Sequence, residues 1–322
     1  MKKISIIAAA LAALTSIGAN ALTLRLADTM PSGLPNSEGV AFFAKKVKEY
    51  SNGEIEVKIF ANGILGSERE NVEQLNQGAL DMARVGAATL DSFTPAVQAI
   101  TLPYMFETTD HLIRSMDGKA GELLFANLEK DGIYPINYMV IGPRSFYTKN
   151  KPINTPDDLK GMKIRVMNSK MAMKTVKLMG GAPTPLPMGD VFTAMDQGVI
   201  DGAENAPQSL IEHRHGEVAK YYSFDEHFNY PEFILISKVA MSKLTPEQIN
   251  ILKKAGKEAT VYEIGLAKAA IDESVKQSEG RVTFNQVDKA LFKEKVQPLY
   301  EEVIKDNPGA KEMIELVQQE KS

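Results

Sequence analysis

Cysteine is absent from all 322 residues. Its absence removes disulfides, thiol nucleophiles, Cys-based metal sites and a lipid-bearing N-terminal anchor, and it leaves packing to stabilise the fold. Charge of one sign is also lacking: 37 Lys and Arg stand against 41 Asp and Glu, a net charge of -4. So balanced a chain offers no electrostatic footprint for nucleic acid or an anionic membrane, and an anion must be drawn by a local pocket. No Gly-x-Ser-x-Gly elbow, His-Glu-x-x-His, Walker A loop or Gly-x-Gly-x-x-Gly fingerprint occurs. Beyond the first 21 residues no apolar run approaches the ~20 residues of a membrane span. No low-complexity segment or long linker interrupts the chain.

The first 21 residues are distinct. Lys2-Lys3 give a positive start, Ile4 to Gly18 is apolar, and Ala19-Asn20-Ala21 is a small-x-small site. This pattern reads as a secretory signal peptide, too short and wrongly flanked for a span; the competing reading is a retained anchor helix. Cleavage after Ala21 would leave a mature chain starting at Leu22, outside the cytoplasm, for which a bacterial periplasm is the suitable compartment. The remaining length supports two domains with proper cores.

A short pattern occurs twice, 120 positions apart (77 to 197). Gln77-Gly78-Ala79-Leu80-Asp81-Met82-Ala83 returns as Gln197-Gly198-Val199-Ile200-Asp201-Gly202-Ala203. Each copy follows a helix-like run, places Gly where a helix end wants a left-handed residue, and enters a strand with an apolar pair. Two similar lobes are implied, and a cleft between lobes is a common place for a small ligand. The first part reads strand, helix, strand, helix, strand, which calls for parallel pairing. Asn36 or Ser37 is the expected cap of a helix to Tyr50, and Ser67 with Glu70 forms a capping box. Helical segments are expected over roughly Asp110 to Lys130, with strands at Ile133 to Met139, Arg144 to Thr148, Met162 to Val166 and Phe233 to Ser237. Thr245-Pro246-Glu247-Gln248 starts a helix that nothing interrupts before Gly280. Such a rod is about 50 Å long at ~1.5 Å per residue, enough to cross both lobes. Helices Asp288 to Lys305 and Pro308 to Gln319 close the chain.

In Gly161-Met162-Lys163-Ile164-Arg165-Val166, alternation puts Lys163 and Arg165 on one strand face. Arg165 stands at the carboxyl end, where open α/β sheets bind ligands. Its planar fork matches a carboxylate through two parallel hydrogen bonds. Arg144 follows Gly142-Pro143 at another strand edge. For both, an ordinary rim ion pair is the competing reading. Asn205, in Glu204-Asn205-Ala206-Pro207, would face the cleft from a sheet edge or cap a helix. His213 and His215 invite a metal reading, but positions i and i+2 of a helix do not face each other. Asp81 and Asp201, equivalent in the repeat, suit a structural role toward turn amides. The run Met167, Met171, Met173 and Met179 reads as core.

Gly161 to Val166, Ala182-Pro183-Thr184-Pro185 and Asp201 to Asn205 resemble the solute-binding proteins of tripartite ATP-independent periplasmic (TRAP) transporters. Ile64 to Arg69 and Gln77 to Asp81 are similar to that family's first-lobe signature, and the likeness runs through the whole mature chain. The resemblance implies an α/β, two-lobed periplasmic-binding-protein-like fold with open sheets, hinge strands and a helix spanning both lobes. Lobe 1 would comprise 22–143 with about 232–260, and lobe 2 would comprise 144–231 with about 261–322. It implies that Arg165 clamps the ligand carboxylate, Arg144 assists, Asn205 supplies a cleft amide and Glu68 a first-lobe polar contact. Met188 falls where some relatives carry an aromatic on the ligand, and Glu232 is placed to accept hydroxyl hydrogen bonds. The implied partners are a small organic acid and integral membrane subunits of a TRAP transporter; no cofactor, metal or nucleic acid is expected.

Two arginines suit one or two carboxylates, whereas Glu68 and Glu232 would repel a second anion and pair with hydroxyls. A polyhydroxylated monoacid such as a hexuronate is therefore expected ahead of a C4-dicarboxylate. A periplasmic enzyme acting on sugar acids is the rival from another class, and a sensory module differs only in partner.

Overall fold

A computed structural model describes residues 21–321. The signal-peptide reading falls on residues outside that range, apart from Ala21. In chain order the strands are β1 (Leu22–Ala27), β2 (Ile55–Phe60), β3 (Met82–Gly86), β4 (Tyr134–Val140), β5 (Arg144–Thr148), β6 (Lys163–Val166), β7 (Ala182–Pro185), β8 (Gly202–Asn205), β9 (Tyr221–Phe228), β10 (Pro231–Ile236) and β11 (Thr283–Gln286). They form a five-stranded sheet, β2-β1-β3-β10-β4, and a six-stranded sheet, β11-β9-β5-β8-β6-β7. β1 pairs parallel with β2 and β3, as the strand–helix–strand order requires, and β10 returns antiparallel between β3 and β4. The chain crosses between the sheets three times, directly from β4 to β5 and from β9 to β10, and from β10 to β11 through the helix Pro246–Ser278.

The repeated heptad has a common structural basis. Gly78 and Gly198 both take φ of 72°. Ala79 and Leu80 donate to Gln74 O, and Val199 and Ile200 donate to Ala194 O, the same pattern shifted by 120 positions. Asp81 Oδ2 accepts the Arg25 N–H on β1 at 2.9 Å, and Asp201 Oδ2 accepts the Lys163 N–H on β6 at 2.8 Å. Each carboxylate therefore ties a neighbouring strand, a variation on the expected tie to turn amides. The Ser67–Glu70 and Thr245–Gln248 capping boxes are both formed. The first helix departs from expectation: it spans Pro35–Tyr50 behind Leu34, because Pro35 fits the first turn and Ser37 bonds back to Leu34 from inside the helix. The run from Asp110 is broken at Gly118 into Thr109–Asp117 and Lys119–Lys130.

The helix Pro246–Ser278 covers 33 residues and packs on Pro35–Tyr50, on β4 and on the short helix Ser209–Glu212 beside the second sheet. One apolar cluster runs through both sheets, joining Val85 and Phe233 to Phe146, Ile164 and Val166. Phe292, Val296, Leu299 and Val317 of the closing helices complete it. Asp91, at the end of the helix Ala87–Leu90 that follows β3, reaches across to the second sheet's layer. It accepts hydrogen bonds from Ser169 Oγ (2.6 Å), Lys170 N (3.0 Å) and Met171 N (2.8 Å), where the helix Lys170–Leu178 begins.

Glu263 on the long helix is buried and accepts the Val140 N–H at 2.9 Å, at the end of β4 where the chain leaves the first sheet. Burial pushes its pKa up to about 8; the Val140 N–H opposes this and the Glu232 charge adds to it. A carboxyl raised in the folded state leaves stability intact below its unfolded pKa, ~4.3, and stability declines as pH rises toward the folded value. Glu263→Gln should therefore gain stability over the parent at about pH 8.5 and little at about pH 5. Urea unfolding at both pH values checks this, and a gain independent of pH would contradict it.

Candidate functional site

The strand ends of both sheets open into one cavity of about 400 Å³. The first sheet contributes Thr29 and Met30 after β1, the Asn62–Ser67 loop after β2, Glu68, and Gly86 at the end of β3. The second contributes Arg144 on β5, Arg165 and Met167 at the end of β6, and Leu186 to Met188 after β7. Tyr230, between β9 and β10, lies where they meet.

Arg165 is 2% exposed, and its strand is flanked by β7 and β8. Its Nε donates to Leu186 O at 2.8 Å, while Nη1 is buried with no hydrogen-bond partner. Burial lowers its pKa from the ordinary value. Of the carboxylates acting on it the foremost is Glu204, which is already committed to Arg144. A buried donor left unpaired costs free energy comparable to a lost hydrogen bond, about 1–3 kcal/mol and more for a charged group. An acceptor placed against Nη1 would recover that cost.

Arg144 differs. It grips Glu204 with both arms, Nε to Oε2 at 2.8 Å and Nη2 to Oε1 at 3.0 Å, and its Nη1 donates to Asn205 Oδ1 at 2.6 Å. Burial works against its charge, but the Glu204 carboxylate overrides this and raises the pKa above the usual arginine value. The Tyr230 ring lies 5.6 Å from the guanidinium carbon. Behind the pair, His227 Nε2 is 3.8 Å from Glu204, and its Nδ1 is 2.6 Å from Asp225.

On the first-sheet side, Glu68 follows the Ser67 cap directly, which fixes its direction. Its Oε2 accepts from Thr89 Oγ1 at 2.5 Å and from Gly86 N at 3.3 Å. Below the cavity Arg84 is held between Asp28 (Nε to Oδ1, 3.0 Å) and Glu232 (Nη1 to Oε2, 2.7 Å). Of the residues singled out from sequence, Arg165, Arg144, Glu68 and Met188 line the cavity. Asn205 lies behind Arg144 and Glu232 pairs with Arg84; neither is in the wall. Met188 offers a half-buried thioether side chain rather than an aromatic face.

Sequence reasoning passed over Arg84, Asp28, Glu204 as the Arg144 partner, Thr89 and Tyr230. A basic residue at the buried position 84 of β3 was a usable signal, because a buried arginine demands acids around it. His213 and His215 also need a different account. Arg214, at φ of 60°, separates two short helices, so the two imidazoles stack with centroids 5.5 Å apart. Burial lowers their pKa values to about 4 and about 3, so both are neutral at physiological pH, and Tyr147 Oη lies 2.7 Å from His215 Nδ1. Among the described residues no group of three or more His, Asp or Glu is placed to hold a metal ion.

Two α/β sheets, three crossings between them, a helix touching both layers and an arginine-floored cavity define a two-lobed solute-binding protein. Residues 26–307 match the bacterial extracellular solute-binding protein family 7, DctP, and the chain belongs to that family, which serves TRAP transporters. A TRAP periplasmic solute-binding protein from Sulfitobacter sp. NAS-14.1, solved with β-D-galacturonate, shares 37% identity at a TM-score of 0.88, covering 92% of this chain and 99% of that one. A counterpart from Chromohalobacter salexigens, solved with D-glucuronate, shares 32% at 0.89 with the same coverage. The 2,3-diketo-L-gulonate-binding periplasmic protein YiaO of Escherichia coli K12 is 28% identical over 279 residues, 85% of each chain. No helix among the described residues is long and apolar enough to cross a membrane.

Removing one member of a buried ion pair leaves the other charge uncompensated, at about 3–5 kcal/mol. Glu204→Ala should lose stability in that range in denaturant unfolding. A loss below about 1 kcal/mol would show that Arg144 finds its support elsewhere.

Proposed function

We propose that this protein captures a hexuronate, such as D-glucuronate or D-galacturonate, between its lobes and delivers it to the membrane subunits of a TRAP transporter. The observation that carries the reading is the unpartnered Nη1 of Arg165 in the cavity wall. The other two buried arginines near the cavity already have acid partners: Arg144 has Glu204, and Arg84 has Asp28 and Glu232. One ligand carboxylate therefore completes the charge pairing. Glu68, Ser67, Thr89 and Asn62 present oxygen and amide groups on the opposite wall, the chemistry that hydroxyls need. The uronates held by the Sulfitobacter and Chromohalobacter proteins are ligands of this class.

Arg165 would clamp the carboxylate, with Arg144 and the Asn205 behind it fixing its orientation and Met188 packing on the sugar. A ligand touching both walls has its full set of contacts only when the lobes are closed, so it shifts the population toward closure. The lobes would divide into 22–143 with about 232–260 and 144–231 with about 261–322. The site of action is the periplasm, with the mature chain beginning at Leu22. The protein is a binder rather than an enzyme, and ligand recovered after incubation should be unchanged.

Micromolar affinity corresponds to about 8 kcal/mol. Titration calorimetry should give micromolar or tighter binding for D-glucuronate or D-galacturonate, and at least about a hundredfold weaker binding for succinate and malate. The reverse order would establish the C4-dicarboxylate alternative. Arg165→Ala should lose about 3–5 kcal/mol of uronate affinity, because a desolvated carboxylate is left unpaired. Near-parental affinity in a folded Arg165→Ala protein would remove the clamp from the account.

A further inference from the structure

We infer that Glu232 is a specificity residue that occupies Arg84 and so closes the first-lobe end of the cavity to a second ligand carboxylate. The inference deepens the hexuronate reading and rests on it. Arg84 is a third buried arginine close to the ligand space, and nothing in its own chemistry prevents it from gripping an acid. Arg84 on β3 and Glu232 on β10 flank Gly86: Arg84 is two residues before it, and Glu232 is opposite it in the antiparallel register. All three therefore share one face of the sheet. Gly86 is in the cavity wall. A methyl group there would lie 3.6 Å from Glu68 Oε2 and 3.9 Å from Glu232 Oε1, so both carboxylates border the space a side chain would fill.

Arg84 is held by two acids rather than one. Asp28 lies at its Nε and Nη2, Glu232 lies at Nη1, and Nη2 has no well-aligned hydrogen bond. With Glu68 included, this end carries three carboxyl groups for one guanidinium. The Arg165 end has the opposite balance, a cation lacking an acid of its own. A ligand with its carboxylate on Arg165 directs its other end toward Glu68 and Gly86. Hydroxyls there can donate to acidic oxygens, whereas a second carboxylate meets like charge in a partly desolvated wall. A hexuronate and the aldarate formed by oxidising its aldehyde carbon differ in that carboxylate and in the ring, which the aldarate cannot close, so the change in their ratio on altering Glu232 isolates the charge.

The charged groups that act on Glu232 are Arg84 of β3, Glu68, Asp28 after β1 and Arg144 of β5, and Glu263 of the long helix feels the Glu232 charge in turn. Burial pushes the Glu232 pKa up to about 7; Arg84 opposes this, and Glu68 and Asp28 add to it. Glu232 therefore passes from mostly neutral to mostly charged across that pH, and its exclusion of a second carboxylate strengthens as pH rises through neutrality.

The test is calorimetry on the mature full-length chain with D-galacturonate and galactarate, and with D-glucuronate and D-glucarate, at about pH 6 and about pH 8.5. The parent should prefer the uronate, more strongly at the higher pH. Glu232→Gln should move the uronate-to-aldarate ratio toward the aldarate by at least about tenfold at the higher pH and flatten its pH dependence. Should Glu232→Gln not fold, Glu232→Asp, which withdraws the carboxylate by one methylene, should move the ratio the same way. An unchanged ratio in a folded variant, or a parent that binds both ligands equally at the higher pH, overturns the inference and leaves the uronate reading intact. A parent that binds no uronate overturns the proposed function itself.

Discussion

One buried guanidinium lacking an acid of its own organises this molecule. Arg165 is fixed through Nε to the Leu186 carbonyl, which leaves Nη1 without a protein acceptor. A fold tolerates such a group only where the surrounding packing over-determines it, and β6 is paired on both sides, by β7 and β8, over a large apolar cluster. Ile164 and Val166, fully buried on the opposite strand face, hold the backbone so that Arg165 faces the cavity. The cost of leaving that donor unpaired is free energy that an acceptor placed beside it would restore.

The two walls divide the work of recognition. On the second-sheet wall Arg144 and Glu204 neutralise each other, so Arg144 contributes shape and direction more than net attraction. On the first-sheet wall Glu68 is directed by its place at the first turn of a capped helix, where its oxygen is fixed by Thr89 and the Gly86 N–H. Cationic capture at one end and acidic oxygens at the other together describe a molecule with one charge and several hydroxyls. Neither wall alone does so.

Local patterns made much of this readable in the chain. The left-handed glycines of the repeat, both capping boxes, the 33-residue helix and the orientation of Arg165 follow from spacing and alternation. What escaped depends on distant partners. Arg84 meets Asp28 across 56 positions and Glu232 across 148, and nothing near Arg84 in the chain announces either. β9 does not read as a buried strand because Ser223, Asp225 and His227 punctuate it. The fold buries them by giving Asp225 the Phe146 N–H and His227, and Ser223 the Ile153 N–H. β7, with Pro183 and Pro185, resembles a turn; it is accommodated because it forms the sheet edge, where missing donors cost little.

The Asp91 carboxylate has a mechanical consequence. It belongs to the layer of β3 but caps the helix that starts five residues after Arg165, so the two layers are bonded to each other there at three donors. A motion that parts the two layers must therefore either break these three bonds or pivot around them, so separation begins away from Asp91 before it reaches it.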